Sequence, residues 1–406
     1  MLEDAVLERV EKLKPELVEL VQKMVRIPSE NPPGDEEEVA EFYANTLSKI
    51  GLDVKTYKIA DKRVNVAARL HGKAGGKSLL FNGHTDVVPA GPRELWSKDP
   101  FGGDFDGTRI WGRGTADMKG ALGSIAIALK ALVDSGVRLD GDVVVHAVAD
   151  EEAYSTGTKY MVEKNLAQAD FGVVCEGSVS SDSIYIRPAV RGTSWLTIKT
   201  VGKAAHASNP KNGVNAVLGM SRILLALENL PLPHRPHKLL PSPTVSPGTV
   251  IRGGVKVNVI PPECYAEVDI RTVPGMEKNE VLSAVTGVIE CVQKENPGLT
   301  ASVTGVNWGL PAEIPEDHEL VQTARRATKL VVNYDPPLRG GYGTNDSRLL
   351  INEGSIPTLC GFGPGDDALG NAHGPDENVS LATLLTFAKI YALMTLWTCG
   401  PSSPLA

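Results

Sequence analysis

The sequence predicts an α/β protein: a central, mostly parallel sheet flanked by helices and interrupted by an inserted ferredoxin-like α+β domain. Three observations lead there. Short apolar runs, Leu79–Phe81, the DVVVHAVA stretch at 142–149 and Phe171–Cys175, have the composition of strands buried on both faces. A strongly periodic helix, carried by Leu122, Ile125, Ala126, Leu129, Leu132 and Val133, stands between the first two of them. Beyond Arg191 the order changes to β-α-β-β-α-β, the pattern of a ferredoxin-like unit. A chain of 406 residues is also too long for one ordinary core. The expected division is therefore 1–190 for the first part of the larger domain, 191–306 for the insert and 307–406 for the return.

The elements follow in order. Residues 1–26 carry a helical apolar period with a break at Pro15, and 27–34 (IPSENPPG) is a loop by composition. A helix is expected from Asp35 to Ile50, closed by Gly51, and two strands from Val54 to Leu70. Asp106-Gly107 marks a hairpin turn between Gly102 and Trp111. In the insert, strands are expected at 194–201, 244–251, 264–271 and 299–306, and helices at 215–230 and 277–294, with the proline-rich stretch 231–247 as an internal loop. The return holds a helix at 317–331, a glycine-rich loop at 339–344, a strand at 358–362, and a last helix that Ser380 would cap and Gly400-Pro401 would stop.

Composition narrows the function classes. A net charge of -8, from 41 basic and 49 acidic residues, argues against a nucleic-acid partner, which calls for a Lys/Arg-rich face. Charges run through the first 25 residues, so they do not form the apolar core of a secretory signal, and no run of 18 or more apolar residues occurs. A cytoplasmic protein without a membrane partner is the expectation. Cys175, Cys264, Cys291, Cys360 and Cys399 are scattered, odd in number and free of CxxC spacing, which suits reduced thiols and not a disulfide framework.

The apolar runs end in groups that bear chemistry. Leu79–Phe81 leads into Asn82-Gly83-His84-Thr85-Asp86, and a metal-bound histidine commonly gives its second ring N–H to a carboxylate such as Asp86. Taken alone, this pair is more often a hydrogen-bonded couple than a ligand. The run at 142–149 ends in Asp150-Glu151-Glu152, and the run at 171–175 ends in Glu176, with Asp117 in the loop feeding the helix after it. Asp117, Glu151, Glu152 and Glu176, if gathered in one cleft, would repel one another unless cations offset their four charges. Two nucleotide-binding readings fail. HGKAGGKS at 71–78 lacks the first glycine of a phosphate loop and runs into a strand, and Gly112-x-Gly114 has Asp117 where a dinucleotide fingerprint needs its third glycine.

GHTDVV at 83–88, GRGTADMKG at 112–120, DEE at 150–152, CEG at 175–177, GKAAHAS at 202–208, DIRTVPG at 269–275 and AHGPDE at 372–377 together resemble the dizinc amidohydrolases. That family includes acetylornithine deacetylase, succinyl-diaminopimelate desuccinylase, aminoacylase and glutamate carboxypeptidase. The resemblance implies a zinc-peptidase-like catalytic domain and an inserted lid and dimerisation domain. It implies one metal on His84 and Glu176, a second on Glu152 and His373, and Asp117 bridging both, followed by a cis peptide to Met118. Two zinc ions are expected, with cobalt or manganese as alternatives. Glu151 would be the general base, Asp86 would orient His84, and His206 would donate to the oxyanion, in several members from the partner subunit of a homodimer. Arg271 would bind a substrate carboxylate, with Asn258, Gly343 and Thr344 as lesser candidates. Tyr154 departs from the glycine often found there. The implied activity is hydrolysis of an N-acyl amino acid, of the acetylornithine deacetylase and succinyl-diaminopimelate desuccinylase type. A carboxypeptidase or dipeptidase on the same scaffold is the alternative, and a non-catalytic ligand-binding relative a distant one.

Overall fold

The computed structural model describes residues 2–181 and 183–401. Its contacts divide the chain into two compact units, Met1–Ala189 with Glu313–Arg339 and Asn345–Ala406, and Val190–Ala312 with Gly340–Thr344. The insert thus runs to 312, past the expected 306, because its last strand continues through Trp308.

The first unit begins with helices α1 (Leu2–Lys12) and α2 (Lys14–Val25), separated at Leu13. Pro15 lies in the first turn of α2, where its missing N–H breaks no helical bond. Helix α3 (Glu37–Ile50) ends on Gly51, whose φ of 106° is the left-handed cap that glycine adopts without a Cβ penalty. Strands β1 (Asp53–Ala60), β2 (Arg63–Leu70) and β3 (Leu79–His84) follow, then a small hairpin of β4 (Asp104–Phe105) and β5 (Arg109–Trp111). Helix α4 (Gly120–Asp134), strand β6 (Val143–Val148), helix α5 (Thr156–Glu163) and strand β7 (Phe171–Val174) complete the first pass. The segment after Gly177, which shows no pattern in sequence, holds three short strands, β8 (Gly177–Ser180), β9 (Ser183–Ile184) and β10 (Ile186–Val190).

The second unit contains β11 (Gly192–Val201), α6 (Ala216–Leu227), β12 (Thr244–Gly253), β13 (Glu263–Thr272), α7 (Lys278–Glu295) and β14 (Thr300–Trp308). Its antiparallel sheet has the order β12-β13-β11-β14. Along β13, Cys264, Ala266, Val268 and Ile270 are buried while Glu263, Tyr265 and Glu267 are exposed, so α6 and α7 cover one face only. Asn215 caps α6 by accepting from the Leu218 N–H at 3.1 Å.

The chain returns through β15 (Ala312–Glu313), α8 (Glu319–Val332), β16 (Leu338–Gly341), α9 (Ser347–Asn352), β17 (Thr358–Leu359), β18 (Gly363–Asp366), β19 (Asn378–Ser380) and α10 (Leu381–Cys399). The expected strand at 358–362 is thus only two residues long, and the expected loop at 339–344 begins as a strand.

The six-stranded sheet of the first unit has the order β1-β2-β6-β3-β7-β17. Its β6, β3, β7 and β17 are parallel, while β1 and β2 pair antiparallel at one edge. Leu79, Phe81, Val143, Val145 and Val173 pack into one core with α1, α2, α3, α4, α8 and α10. Leu80, Val144, Val148 and Val174 pack on the other face with Met161, Leu350 and Ile356. Burial on both sides explains why these strands read as unbroken apolar runs. The core is close-packed around Leu122, which is fully buried, so Leu122→Ala would cost roughly 2–5 kcal/mol. Helix α10 is long and apolar enough to cross a membrane, although Lys389 and its threonines interrupt any uniform apolar run. With 61% of its most apolar window buried, largely against α1, α4 and α8, it serves as a core helix.

Candidate metal centre

Three adjacent parallel strands bring the chemistry to one edge. Strand β3 ends on His84, β6 is followed by Asp150, Glu151 and Glu152, and β7 is followed by Glu176. Because β6, β3 and β7 are neighbours with a common direction, these side chains emerge at the same carboxyl end, where open α/β sheets bind ligands. Asp117 arrives from the loop ahead of α4, and His373 from the loop between β18 and β19. Gly83 lies close against α4 and the loop before it: a Cβ there would fall 2.5 Å from the end of the Met118 side chain and 3.0 Å from that of Leu122.

The Asp117 carboxylate stands between two imidazoles, with Oδ1 3.0 Å from His84 Nε2 and Oδ2 3.3 Å from His373 Nε2. His373 Nε2 is also 3.2 Å from Glu152 Oε2. Ligand-type atoms of His84, Asp117 and Glu152 lie within 4.8 Å of one another, and so do those of His84, Glu151 and Glu176. The two groups share His84. The peptide from Asp117 to Met118 is cis, as expected from the resemblance.

The electrostatics call for cations. The surrounding protein and the Asp117 charge push Glu176 up to about 8, and burial with the Glu176 charge raises Glu151 well above the usual carboxylate range. Burial and Asp117 raise Glu152 as well. Hydrogen bonds to Asp117 and Glu152 push His373 up to about 10. Burial opposes a charge on His84, yet its bonds to Asp117 and Asp86 outweigh this and raise it well above an ordinary histidine. Burial likewise opposes ionisation of Asp117, but His373 and His84 hold it below the usual range. Divalent cations would offset the charges of Asp117, Glu151, Glu152 and Glu176. Glu152 Oε1 and Glu176 Oε1 are buried without a hydrogen-bond partner, as ligand atoms awaiting a metal would be. The residues present therefore fit a centre for divalent cations.

Asp86 differs from the expectation. His84 Nδ1 lies 2.9 Å from the backbone carbonyl of Asp86 and 3.6 Å from its carboxylate. The carboxylate instead accepts from the N–H groups of Glu151 and Glu152, both at 3.1 Å, and from Asn31 Nδ2 at 2.8 Å. Those two N–H groups lie beyond the end of β6 and have no strand partner, so a buried anion is their natural acceptor.

Two further residues escaped the sequence reading. Glu377, fully buried, accepts from Arg113 Nη1 at 2.6 Å and from the N–H groups of Gly114, Ala116 and Asp117 at 2.9, 2.8 and 3.0 Å, and so holds the loop that carries Asp117. Asn345 donates to Glu176 Oε2 at 3.0 Å and to the Cys360 carbonyl at 3.0 Å. The only sequence signal was the place of Glu377 inside AHGPDE; Asn345 follows the glycine-rich loop at 339–344 with no signal of its own.

The remaining candidates lie in the second unit. Arg271 donates to Asp269 Oδ1 at 2.8 Å and Thr193 Oγ1 at 2.6 Å. His206 is exposed, with Nδ1 2.7 Å from Ser208 Oγ, and the Ala207 N–H donates to the Asn258 carbonyl at 3.0 Å. Gly343 and Thr344 follow β16. Tyr154 is itself 67% exposed, whereas Asp150 beside it is buried.

Residues 80–396 match the peptidase family M20/M25/M40. N-formyl-4-amino-5-aminomethyl-2-methylpyrimidine deformylase of Halalkalibacterium halodurans is 28% identical, over 95% of each chain. Acetylornithine deacetylase of Photorhabdus laumondii is 28% identical, over 93% of this chain and 95% of its own. An M20 family metallo-carboxypeptidase from Sulfolobus solfataricus shares the fold, with a TM-score of 0.78 at 19% identity over 94% of this chain and 99% of that one. With the family match spanning most of its length, the chain belongs to peptidase family M20/M25/M40 and is a metal-dependent hydrolase.

Proposed function

We propose that the protein hydrolyses the amide bond of an N-acyl amino acid, releasing a carboxylate and a free amine. The observation that carries this is the convergence of His84, Asp117, Glu152, Glu176 and His373 around Glu151. His84 and Glu176 would hold one ion, Glu152 and His373 the other, and Asp117 both. Histidine and carboxylate ligation without a thiolate suits zinc in an open site, and cobalt or manganese as well. Bound there, divalent cations supply Lewis acidity, making water a stronger acid and drawing electron density from a carbonyl oxygen.

The protein's own groups supply the rest. Glu151 accepts the proton of the attacking water and returns one to the leaving nitrogen. His206 donates to the oxyanion of the tetrahedral intermediate. Arg271 pairs with the carboxylate of the amino acid, and Asn258, Gly343 and Thr344 orient the remainder. The deformylase and deacetylase named among the relatives, both removing an acyl group from nitrogen by name, support a deacylase over a peptidase.

A homodimer is part of this reading. In the insert, β12 is an edge strand, and Val255, Val257 and Leu225 are 87%, 98% and 69% exposed, a surface suited to a second copy. The test is a panel of N-formyl, N-acetyl and N-succinyl amino acids beside dipeptides, assayed with added zinc, cobalt or manganese. Cleavage of acyl substrates is the expected result, and turnover of dipeptides alone would favour the peptidase reading.

A further inference from the structure

Asn31 lies in the loop before α3 and is 4% exposed. Its amide nitrogen donates to Asp86 Oδ2 at 2.8 Å and to Asp150 Oδ1 at 3.0 Å. Its carbonyl oxygen accepts from Arg63 Nη2 at 3.0 Å, which dictates which way the amide faces: oxygen to the guanidinium, both N–H groups to carboxylates. Arg63 Nη1 also donates to Asp150 Oδ1 at 2.7 Å and to the buried Glu36 Oε1 at 3.0 Å.

Asp150 sits in the left-handed region with a φ of 67°, a conformation that a non-glycine residue keeps only when its surroundings enforce it. Here Asn31 and Arg63 hold one carboxylate oxygen, Thr156 Oγ1 donates to the other at 2.5 Å, and the Asp150 carbonyl accepts from the Ser155 N–H at 2.6 Å. That turn aims the N–H groups of Glu151 and Glu152 at the oxygens of Asp86. Room for Arg63 is built in. Gly34 has a φ of 87°, and a Cβ there would fall 2.2 to 2.6 Å from the guanidinium.

We propose that Asn31 and Arg63 are positioning residues of the metal centre: together they clamp Asp86 and Asp150 so that His84, Glu151 and Glu152 meet the cations and substrate in one geometry. The assignment rests on the functional reading above. Neither residue touches the cations. Their effect passes through Asp86 and through the turn at Asp150.

The experiment titrates Co2+ into metal-stripped wild type and into Asn31→Ala, Arg63→Lys and Gly34→Ala, following visible absorption. It is paired with kcat and KM on the best substrate of the panel and with a thermal melt. Wild type is expected to bind two Co2+. Arg63→Lys keeps the charge but loses the fork, and Gly34→Ala displaces the guanidinium without removing any bonding group. Each variant is expected to bind Co2+ about 10- to 100-fold more weakly, with a lowered kcat and a KM close to wild type. Variants that melt earlier yet keep wild-type Co2+ affinity and kcat would overturn the proposal and leave a merely structural role. Full rescue by Arg63→Lys would overturn it too, since charge alone would then suffice. Absence of Co2+ binding by wild type would instead overturn the functional reading itself, and this assignment with it.

Discussion

In the first unit the chemistry-bearing side chains cluster at the ends of adjacent parallel strands and are held by backbone N–H groups and buried carboxylates. In the inserted unit His206 is exposed and anchored to one neighbouring serine, while Arg271 is held by Asp269 and Thr193 across its own sheet. The first arrangement is largely buried and crowded with carboxylates. The second keeps His206 exposed and Arg271 paired within its own sheet. The difference suggests a division of labour: strand ends build the centre that activates water, and the insert reads the substrate.

The largest effect should come from the centre. Glu151→Gln removes the proton acceptor while keeping its shape, and kcat is expected to fall about 10²- to 10⁴-fold with both metal sites still filled by metal analysis. Unchanged activity would remove Glu151 from its role. Arg271→Lys should act on the other side of the comparison. Losing the planar fork is expected to raise KM about tenfold with kcat nearly preserved, measured on an N-acyl amino acid. A selective loss of kcat there would erase the distinction between the two units.

Cation binding should depend on pH in a stated direction. Glu176, at about 8, and His373, at about 10, hold protons that a cation must displace, so apparent Co2+ affinity should rise with pH across this range and fall on acidification. Calorimetry in buffers of different ionisation enthalpy should register protons released on binding.

A further pH effect lies outside the metal centre, in a buried ionisable group that no cation compensates. His146, fully buried on β6, is lowered to about 4 by burial and then by Arg69, from an ordinary 6.5. The unfolded chain binds its proton first as pH falls. His146 therefore costs no stability above about 6.5 and lowers it progressively down to about 4, by up to about 3 kcal/mol. His146→Leu should flatten denaturation midpoints over that window.

Much of this was legible in sequence, for physical reasons. Strands buried on both faces announce themselves as apolar runs, so β3, β6 and β7 and the acids at their ends could be read directly. The helical period of α4 and the alternation at 194–201 in β11 were equally plain. What could not be read is whatever depends on side chains meeting across long sequence distances. Asn31 sits in a loop that composition describes only as proline-rich, and Glu377 closes over Asp117 from 260 positions away. The contact that His84 makes with the Asp86 carbonyl, in place of its carboxylate, depends on how the chain turns after β3, and residue identity does not carry that. The short strands β8 to β10 lack the length at which a period becomes visible.

The two-cation centre is tested most directly by anomalous diffraction from crystals grown with zinc. It predicts two peaks at the carboxyl ends of β3, β6 and β7, with Asp117 between them, His84 and Glu176 on one and Glu152 and His373 on the other. A single peak away from Asp117, or none within reach of His84, would contradict it.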